Sequence, residues 1–347
     1  MKRPVSILFL PNERTEGDQI GPREAFSELA REGVLSRYDT FSYLIEAQRH
    51  GAPAGLERLR DLVARTRPDV LLWQHVSTFP VTAPFLAALR AASPGTHLVY
   101  HEGDVYGRWA KRLPSPVRAL MAAADTVALV GAGEFAALAR SVGARRVVYS
   151  PSSADTVRFG RPWTPTSTRE FDVVMIGNRA TSRLPWGRLP GAASREALVR
   201  ALGRRYGRRF GVFGRGWTGF AGNQGPVAYD AQEPAQRRAW VTVNWNHFHT
   251  VEGFFSDRLP ISLLSGVPHV TNYQPGYEVV FGTDAPLRWA RTVDELLTQL
   301  EALLTLGPEA TIALGRRAQA FGRERFTARP VYARLLEEVM AGASKVQ

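Results

Sequence analysis

The sequence contains no cysteine, which excludes disulfide bonds and thiolate metal sites and is typical of a reducing compartment. It also has no run of about 20 uncharged apolar residues, the length that a membrane-spanning helix needs. Residues 1–10, MKRPVSILFL, have a charged head but only a short apolar run, and no small-residue cleavage site follows. We therefore expect this segment to be a buried strand, and the protein to be cytoplasmic without a transmembrane segment.

Lysine is scarce, because only Lys2, Lys111 and Lys345 contribute to the 44 basic side chains, and the remainder are arginines. The formal net charge of +12 suggests a nucleic-acid partner, but the arginines are scattered and no basic tail or aromatic-interleaved stripe accompanies them. We expect no nucleic-acid binding, since an anionic small substrate explains the arginines equally well through their two-pronged hydrogen bonding.

The length of 347 residues favours about two domains, and alternating apolar runs and helical periods indicate parallel sheets covered by helices. In the first block the predicted strands are Val5–Leu10, Val70–Trp73, His97–Tyr100, Thr126–Val130 and Arg146–Ser150, and the predicted helices are Arg23–Glu32, Gly55–Thr66, Thr82–Ala92 and Gly133–Val142. The second block opens at Phe171, with strands predicted in FDVVMIGN, RRFGVFGRGW, WVTVNWN and PHVTN.

The best linker candidate is Gly160–Glu170, GRPWTPTSTRE, which is rich in Pro, Ser and Thr and has no periodicity. We predict two Rossmann-like, doubly wound parallel-sheet domains of the α/β class, residues 1–165 and 166–330, which face each other across a cleft. Ligands of such sheets bind beyond the carboxyl ends of the strands. The apolar spacing in residues 331–347 predicts a last helix.

The loop after the first strand carries candidate residues for binding a ligand in the predicted cleft. Gly17, Asp18 and Gly21 lie in this loop and in the helix start that follows it. Free amides at a helix start attract an anion, so the segment either binds an anion or is an ordinary turn.

The motif VYHEGDVYG places His101, Glu102 and Asp104 at a strand end. A carboxylate or imidazole there can take a proton from the hydroxyl or amine of a substrate. The alternative is a solvated turn without a catalytic role. His75 is a further candidate base, although a lone histidine at such a position is more often structural.

Two loops of the second block are predicted to contact a diphosphate. FDVVMIGNRATSR places Asn178 and Arg179 after its first strand, and GVFGRGW places Arg215 and Trp217 beside two glycines. The tryptophan either stacks on a planar base or packs between the lobes.

The stretch Asn244–Asn272, NWNHFHTVEGFFSDRLPISLLSGVPHVTN, is typical of strand, loop, helix and strand. We predict a helix from about Arg258 to Ser265, capped by Ser256 or Asp257 and followed by Gly266 as its terminator. At the start of this helix, Ser256, Asp257 and Arg258 are predicted to contact a diphosphate.

These motifs together resemble a known family. VVYSPSSADTVRF is similar to the end of the first domain in retaining and related GT-B glycosyltransferases. The order S-D-R, apolar helix, S-G-x-P, strand, P-G-x-E-x-x-F resembles the nucleotide-sugar half of group 1 glycosyltransferases, especially the CgeB-like branch. The resemblance covers Phe171–Met340 well and the first part of the chain in outline.

The resemblance implies an acceptor domain at 1–165, a donor domain at 166–330 and a final helix that crosses back to the first domain. It also implies that Arg258 neutralises the donor diphosphate, and that Gly276, Tyr277 and Glu278 lie near the sugar or phosphates. Relatives carry a ribose-binding Glu where this chain has Ile261, so Glu252 is the candidate to take over that role or to act on the sugar.

No D-x-D pair is present, and His247 and His249 alternate along the chain, which speaks against a shared metal ion. We expect metal-independent transfer from a nucleoside diphosphate sugar, first of all a UDP-sugar, to a small or medium molecule or a glycan, without a further cofactor. The alternative is a GT-B shaped nucleotide-sugar binding protein or an epimerase without transfer activity.

Overall fold

The structure is a computed structural model that describes residues 4–180 and 188–343. The last three residues of the predicted loop FDVVMIGNRATSR and the last four of the predicted segment 331–347 lie outside the described residues.

The described chain forms two compact units. The N-terminal unit comprises the described residues up to Arg108, Arg112–Pro151 and those from Ala328 onward. The C-terminal unit comprises Trp109–Lys111 and Ser152–Thr327. Residues 152–165, which the sequence prediction assigned to the first domain, thus cluster with the C-terminal unit.

The N-terminal unit contains a parallel sheet of six strands in the order β2-β1-β3-β4-β5-β6 within the described residues. Its strands are β1 Val5–Leu10, β2 Leu35–Thr40, β3 Val70–Gln74, β4 His97–Glu102, β5 Thr126–Leu129 and β6 Val147–Tyr149. Its helices are α1 Ile20–Arg31, α2 Tyr43–His50, α3 Ala52–Thr66, α4 Ala83–Ala92, α5 Ser115–Ala123, α6 Glu134–Ser141 and α13 Ala328–Ala343.

The core of this unit forms where α1 and α13 cover the sheet. Phe9, Phe26 and Tyr332 pack in tilted and edge-to-face geometry, with ring centroids 5.0–6.5 Å apart. The last described helix of the chain therefore contributes its apolar face to the core of the N-terminal unit.

The C-terminal unit contains a second parallel sheet of six strands, in the order β12-β11-β10-β7-β8-β9 within the described residues. Its strands are β7 Phe171–Ile176, β8 Phe210–Phe213, β9 Asn223–Gly225, β10 Ala239–Asn244, β11 His269–Asn272 and β12 Arg288–Ala290. Its helices are α7 Ala192–Tyr206, α8 Gln232–Arg237, α9 Arg258–Leu264, α10 Tyr277–Phe281, α11 Val293–Leu304 and α12 Pro308–Phe326.

The core of the C-terminal unit forms where α7 and α11 pack on the apolar strands. Leucines at three- and four-residue steps line the buried side of α11, as expected for a helix that covers a sheet. A capping box of Thr292 and Glu295 fixes the start of this helix, because each side chain accepts a hydrogen bond from the backbone of the other.

Both sheets have one point at which the strand order reverses, between β1 and β3 in the first sheet and between β7 and β10 in the second. In open α/β sheets the loops that leave the carboxyl ends of the two strands diverge at such a point, and ligands bind in the crevice between them. The residues that follow these four strands are therefore the places to look for chemistry in each unit.

In the part of the chain that the structure describes, no helix is both long enough and apolar enough to cross a membrane.

Candidate functional site

The loops after β7 and β8 are joined by backbone hydrogen bonds in the C-terminal unit. The Gly177 N–H donates to Phe213 O at 2.8 Å, and the Arg179 N–H donates to Arg215 O at 2.9 Å. The Arg215 N–H donates to Oδ1 of Asn178 at 2.8 Å. Asn178 and Arg215, both predicted donor contacts, are thus held side by side at the carboxyl edge of the sheet, and both are exposed.

Two glycines make this close approach possible. Gly214 has a φ of +143°, and a Cβ at this position would lie 2.7 Å from the carbonyl carbon of Gly177. Gly216 has a φ of +87° and lies against Arg179. The contact between the two loops is therefore enough to explain why both positions are glycine. A close approach to a ligand is not needed as a reason.

The position of Trp217 differs from the sequence prediction. Its side chain is fully buried in the core of the C-terminal unit, and its Nε1–H donates to Gly177 O at 2.7 Å. The indole therefore anchors the loop after β7 from the core, and the predicted stacking on a base or packing between lobes is wrong. Both its apolar ring and its single donor are satisfied inside the unit.

Arg179 has an ion-pair partner within its own unit. Its Nε lies 3.1 Å from Oε1 of Glu196, which Arg188 also approaches to 3.3 Å. Hydrogen bonding from Arg179 lowers the pKa of Glu196. Because this carboxylate already balances its charge, the contact of Arg179 with a diphosphate stays a prediction.

Arg195, which the sequence analysis did not single out, is the central cation of the C-terminal unit. It lies in the first turn of α7 and is only 4% exposed. Its guanidinium donates to Trp245 O at 2.7 Å and to Asn178 O at 3.0 Å. Arg195 therefore bridges the loops after β10 and β7, the two strands between which the strand order reverses.

The charge of Arg195 has no acidic partner in the described chain, since no carboxylate there forms an ion pair with it. Burial, followed by the nearby charge of Arg258, lowers the pKa of Arg195 to about 9. Its guanidinium also donates to Nε2 of His247 at 2.7 Å, a neutral acceptor that leaves the positive charge uncompensated.

His247 completes this arrangement. Arginine can only donate, so Nε2 of His247 is the acceptor, and the neutral ring carries its hydrogen on Nδ1. Burial and the charges of Arg195 and Arg258 lower the pKa of His247 to about 3, which keeps the ring neutral. Nδ1 is buried and makes no hydrogen bond to the described residues. We call Arg195, His247 and Arg258 the basic cluster.

His247 and His249 are the two histidines whose spacing raises the question of a shared metal ion. His247 is engaged by Arg195, whereas His249 is exposed. Among the residues that the structure describes, no group of three or more His, Asp or Glu side chains is placed to hold a metal ion.

Arg258 is the first residue of α9, as predicted, but the capping prediction is wrong. Asp257 occupies the N-cap position with a helical backbone, φ −49° and ψ −25°, and its side chain makes no capping hydrogen bond. A capping side chain typically reaches the helix amides from an extended backbone. Ser256 instead accepts a hydrogen bond from Arg258 at 3.4 Å. The helix ends before Gly266, which has a φ of +73°.

Glu252 lies beside Gly276, where the loops after β10 and β11 meet. The Gly253 N–H donates to Pro275 O at 2.7 Å, which joins the two loops. Gly276 has a φ of +82°, and a Cβ there would lie 2.9 Å from Cγ of Glu252. Two of the predicted sugar-binding positions are therefore brought together, and the glutamate is exposed.

The neighbours of Gly276 differ in exposure. Tyr277 is fully buried, and its hydroxyl donates to Phe254 O at 2.9 Å, so its ring is part of the core and the predicted ligand contact is wrong. Glu278 is exposed and accepts a hydrogen bond from the Tyr273 hydroxyl at 3.2 Å.

Ile261, the position of the missing family glutamate, is fully buried. It belongs to an apolar cluster with Ala154, Phe159 and Leu264. A carboxylate at this position would lack a polar partner in that cluster, so its surroundings fit isoleucine and not glutamate.

In the N-terminal unit, His101 lies inside β4 and not in the loop beyond it. It is buried next to Tyr332, whose hydroxyl lies 3.4 Å from its Nδ1. Burial, followed by repulsion from His75, lowers the pKa of His101 to about 4. The predicted role as an accessible base is wrong, because β4 extends through Glu102, two residues beyond its predicted end.

Glu102 is the last residue of β4 and is also fully buried. Its carboxylate accepts hydrogen bonds from the Tyr100 hydroxyl at 2.5 Å, from the Asp104 N–H at 2.8 Å and from Nδ1 of His75. Glu102 therefore cannot meet an acceptor directly, which corrects its predicted role, but it orients the histidine.

The register of β3 and β4 brings His75 to this carboxylate. Gln74 pairs with His101, so the next residue of each chain segment, His75 and Glu102, leaves the paired region side by side. The His75 side chain is 20% exposed and that of Asp104 is 49% exposed, with 3.8 Å between Nε2 of the histidine and Oδ2 of the aspartate. These two predicted residues thus lie together at the carboxyl ends of β3 and β4.

The loop after β1 is held by its own hydrogen bonds. Asp18 accepts from the backbone of Arg14 and Thr15 and from the Thr15 hydroxyl, at 2.6–3.0 Å. Gly17 has a φ of +100°, and Gly21 is buried in the first turn of α1. The three predicted residues shape the loop, which favours the ordinary turn over the anion site.

Comparisons with known proteins agree with this architecture. The model of a family described as glycosyl transferase-like matches residues 195–341. A comparison with curated proteins found no match. Similar solved structures include HepE from Anabaena in complex with UDP and glucose, at 14% identity over 97% of this chain and 99% of that chain, with a TM-score of 0.56. The chain has the GT-B fold.

Two further structures resemble this GT-B protein over nearly their whole length. A glycosyltransferase from Rickettsia africae is 11% identical over 97% of this chain and 98% of that chain, with a TM-score of 0.58. Sucrose-phosphate synthase from Thermosynechococcus elongatus is 13% identical over 98% of this chain and 100% of that chain, with a TM-score of 0.60.

The prediction of two Rossmann-like parallel sheets is thereby confirmed. The prediction of a glycosyltransferase is confirmed by the family match over residues 195–341. That match begins at Arg195, so the residue that organises the basic cluster of this GT-B protein is the first residue of the matched region.

Proposed function

We propose that this GT-B protein transfers a glycosyl group from a nucleoside diphosphate sugar to a small or medium acceptor, with a UDP-sugar as the first candidate donor. The observation that carries the proposal is the basic cluster at the carboxyl edge of the second sheet, where the strand order reverses. A buried guanidinium without a carboxylate is costly, and a bound anion is the partner that offsets this cost.

The chemistry of the cluster matches a diphosphate. Arg258 supplies a second positive charge near Arg195, and the Nδ1–H of His247 supplies a neutral donor. Asn178, after β7, and Arg215, after β8, add an amide and a further guanidinium on the two adjoining loops. These groups stabilise negative charge as it develops on a departing diphosphate, which is the main demand of glycosyl transfer.

Glu252 and Gly276 are proposed to meet the sugar or the ribose. The exposed carboxylate of Glu252 offers an acceptor for hydroxyl groups, and Gly276 lets this side chain lie close to the loop after β11. This assignment gives Glu252 the role that Ile261 cannot fill. HepE, which has a similar fold, was solved with UDP and glucose, and this supports a UDP-sugar as the first donor to test.

We further propose that the transfer is metal-independent, because the two arginines supply the charge compensation that a divalent ion supplies in other transferases. The order of S-D-R, S-G-x-P and P-G-x-E-x-x-F supports the CgeB-like branch of the group 1 enzymes. The lack of cysteine supports a cytoplasmic location.

The first experiment is a thermal-unfolding screen with UDP, GDP, dTDP and ADP. A ligand present at about 100 times its Kd stabilises the folded state by about 2.7 kcal/mol, so one nucleotide should raise the Tm by several degrees. Release of the nucleotide from the matching sugar donor should then require an acceptor and should be abolished in Arg258→Ala.

The alternatives give different results in the same experiment. A binding protein is stabilised by the nucleotide but releases no sugar, and an epimerase interconverts donor sugars without an acceptor. A protein that none of the four nucleotides stabilises contradicts the proposal.

A further inference from the structure

A pocket lies at the amino ends of β11 and β12 in the C-terminal unit. His269 and Arg288, the first residues of these strands, line it together with Arg317 of α12. The basic cluster lies at the opposite, carboxyl edge of the same parallel sheet. The four residues of β11, at about 3.3 Å each, put about 10 Å between its two ends. We call this second location the amino-edge pocket.

The amino-edge pocket is small and its walls are mostly apolar. Its volume is about 210 Å³, below the roughly 300 Å³ at which pockets for drug-sized ligands begin. Leu287, which precedes β12, Leu303 in the last turn of α11 and Leu314 on α12 supply apolar walls. The ligand that fits such a pocket is therefore a small molecule with a short hydrocarbon body.

His269 brings to this pocket a buried nitrogen that has no partner. The residue is 1% exposed, and its Nε2 makes no hydrogen bond to the described residues. Its Nδ1 lies 2.9 Å from Oγ1 of Thr242 on the neighbouring strand, which holds the ring in place. Nearly every buried polar atom in a protein has a hydrogen-bond partner, and that partner can be a bound molecule.

The alternation of side chains along β11 places His269 on the same side of the sheet as the leucine wall. Val270 and Val243, which are paired in the register of β11 and β10, face the core that α7 and α11 cover. His269 directly precedes Val270, so its side chain points to the opposite face. On that face Leu287 packs with leucines of α9.

Two arginines give the amino-edge pocket a positive charge. Arg288 is half-buried and donates to Oε1 of Gln299 at 3.1 Å, a neutral acceptor, and Arg317 is exposed. Among the described residues that line the pocket there is no Asp or Glu, and neither arginine forms an ion pair within the described part of the chain. Arginine binds a carboxylate through paired hydrogen bonds, so these two side chains favour a ligand that carries one.

We propose that the amino-edge pocket binds a small organic carboxylate, whose hydrocarbon body contacts the leucines and whose charge is met by Arg317, Arg288 and Nε2 of His269. Burial lowers the pKa of His269 to about 3, so the ring is neutral. In the bound state the Thr242 hydroxyl donates to Nδ1, and the ring hydrogen lies on Nε2, where it donates to the carboxylate. This site goes beyond the proposed function, because it takes a different ligand at the other edge of the sheet.

The first test is a calorimetric titration of the full chain with hexanoate and with benzoate. We expect one saturable site per chain with a Kd of about 1 mM or lower. Absence of saturable binding of both carboxylates overturns the inference. Inorganic phosphate that binds more tightly than either carboxylate overturns the class of ligand.

Two matched probes test the two parts of the pocket separately. Hexanamide keeps the hydrocarbon body of hexanoate without its charge, and acetate keeps the charge without most of the body. Each should bind at least about 10-fold more weakly than hexanoate, because one loses the charged hydrogen bonds and the other loses apolar contacts. Equal affinity of hexanoate and either probe overturns the inference.

Two neighbouring arginines of α12 provide a variant and its control. Arg317→Gln should raise the Kd for hexanoate about 10-fold or more, since it removes a charged donor from the pocket. Arg316→Gln removes the same charge from an exposed residue that is not part of the lining, and it should leave the Kd unchanged. An unchanged Kd in Arg317→Gln, or the same increase in both variants, overturns the assignment.

A third variant separates the pocket from the basic cluster. In Arg258→Gln the affinity for hexanoate should equal that of the wild type, and pyrophosphate should not compete with hexanoate. Loss of hexanoate binding in this variant, or competition by pyrophosphate, places the carboxylate at the basic cluster and overturns the inference. Because no nucleotide is used, failure of the pocket and failure of the proposed function are distinguishable.

Nitrogen NMR of the histidine rings tests the contact with His269. Its signals are identified by their loss in His269→Gln. Saturation with hexanoate should shift the Nε2 signal and show the hydrogen on this nitrogen, whereas the signals of His50, an exposed histidine on α2, should stay unchanged. An Nε2 signal of His269 that does not shift, or a ring hydrogen on Nδ1 in the bound state, overturns the role of His269.

Discussion

Replacing Arg258 by glutamine should have opposite effects on stability and on binding. Burial is the main cause of the lowered pKa of Arg195 and of His247, and the charge of Arg258 lowers both further, so it repels positive charge in the free protein. Removing that charge relieves the repulsion. At the effective dielectric constant of a half-buried site the gain is about 1 kcal/mol or less, so the free energy of unfolding should stay the same or rise slightly.

Binding of the nucleotide should weaken in the same variant. A hydrogen bond to a charged group contributes about 1.5–3 kcal/mol, and loss of one such contact to the diphosphate should raise the Kd about 10- to 150-fold. Arg195 and His247 remain in place, so some affinity should persist.

The assay combines calorimetric titration with the stabilising nucleotide and urea unfolding without it. The control is Arg204→Gln, which removes the same charge from an exposed position on α7 and should change neither quantity. If Arg258→Gln lowers the unfolding free energy by several kcal/mol but binds the nucleotide as the wild type does, Arg258 is structural and the reasoning is refuted.

Three further predictions concern the frame of the C-terminal unit. Gly214→Ala should lower the unfolding free energy by about 2 kcal/mol or more and weaken nucleotide binding, because the new Cβ would meet the backbone of the loop after β7. The control Gly219→Ala is also at positive φ but in open space, and it should lower the unfolding free energy by only about 1 kcal/mol. Equal losses of the two variants in urea unfolding would contradict this prediction. Ile261→Glu should lower the unfolding free energy by several kcal/mol without improving turnover, because the carboxylate would be buried in the apolar cluster. The control Ile261→Leu should lower the unfolding free energy by less than about 1.5 kcal/mol. A higher turnover rate in Ile261→Glu would refute this prediction. Burial lowers the pKa of His269 from 6.5 to about 3. Below about pH 6.5 the unfolded chain therefore binds a proton on this histidine that the folded chain does not bind. The free energy of unfolding is thus highest above pH 6.5 and decreases as the pH falls. The wild-type protein should lose about 1.4 kcal/mol at pH 5.5 from this group alone, and His269→Gln should lose correspondingly less between unfolding titrations at pH 7.5 and 5.5; an identical pH dependence in the two proteins would speak against this assignment.

The fold could be predicted because the inner strands of both sheets are parallel and largely buried, and such strands appear in the sequence as continuous apolar runs. β1 has the predicted bounds, Val5–Leu10. The sequence prediction omits β2, LSRYDT, because this strand lies at the edge of its sheet and only its first residue is buried. It also omits the short helices α2 and α5.

The candidate site was less predictable, because the sequence indicates which residues follow a strand but not which way their side chains turn. Trp217 and Tyr277 follow strands and are nevertheless core residues. Arg195 carries a usable signal: it shares the buried side of α7 with leucine and valine residues, and a charged residue on such a stripe needs a special partner. The contact between His75 and Glu102 gives no comparable signal, since the two residues are distant in sequence and their contact depends on the pairing of β3 with β4.

The central claim is that the basic cluster of the C-terminal unit binds a diphosphate. A competitive calorimetric titration with inorganic pyrophosphate tests it most directly, because the result does not depend on the choice of nucleoside or sugar. We predict one saturable pyrophosphate site per chain, whose heat disappears when the protein is first saturated with the stabilising nucleotide. Pyrophosphate binding that is unaffected by the nucleotide, or the absence of any saturable binding, would contradict the account.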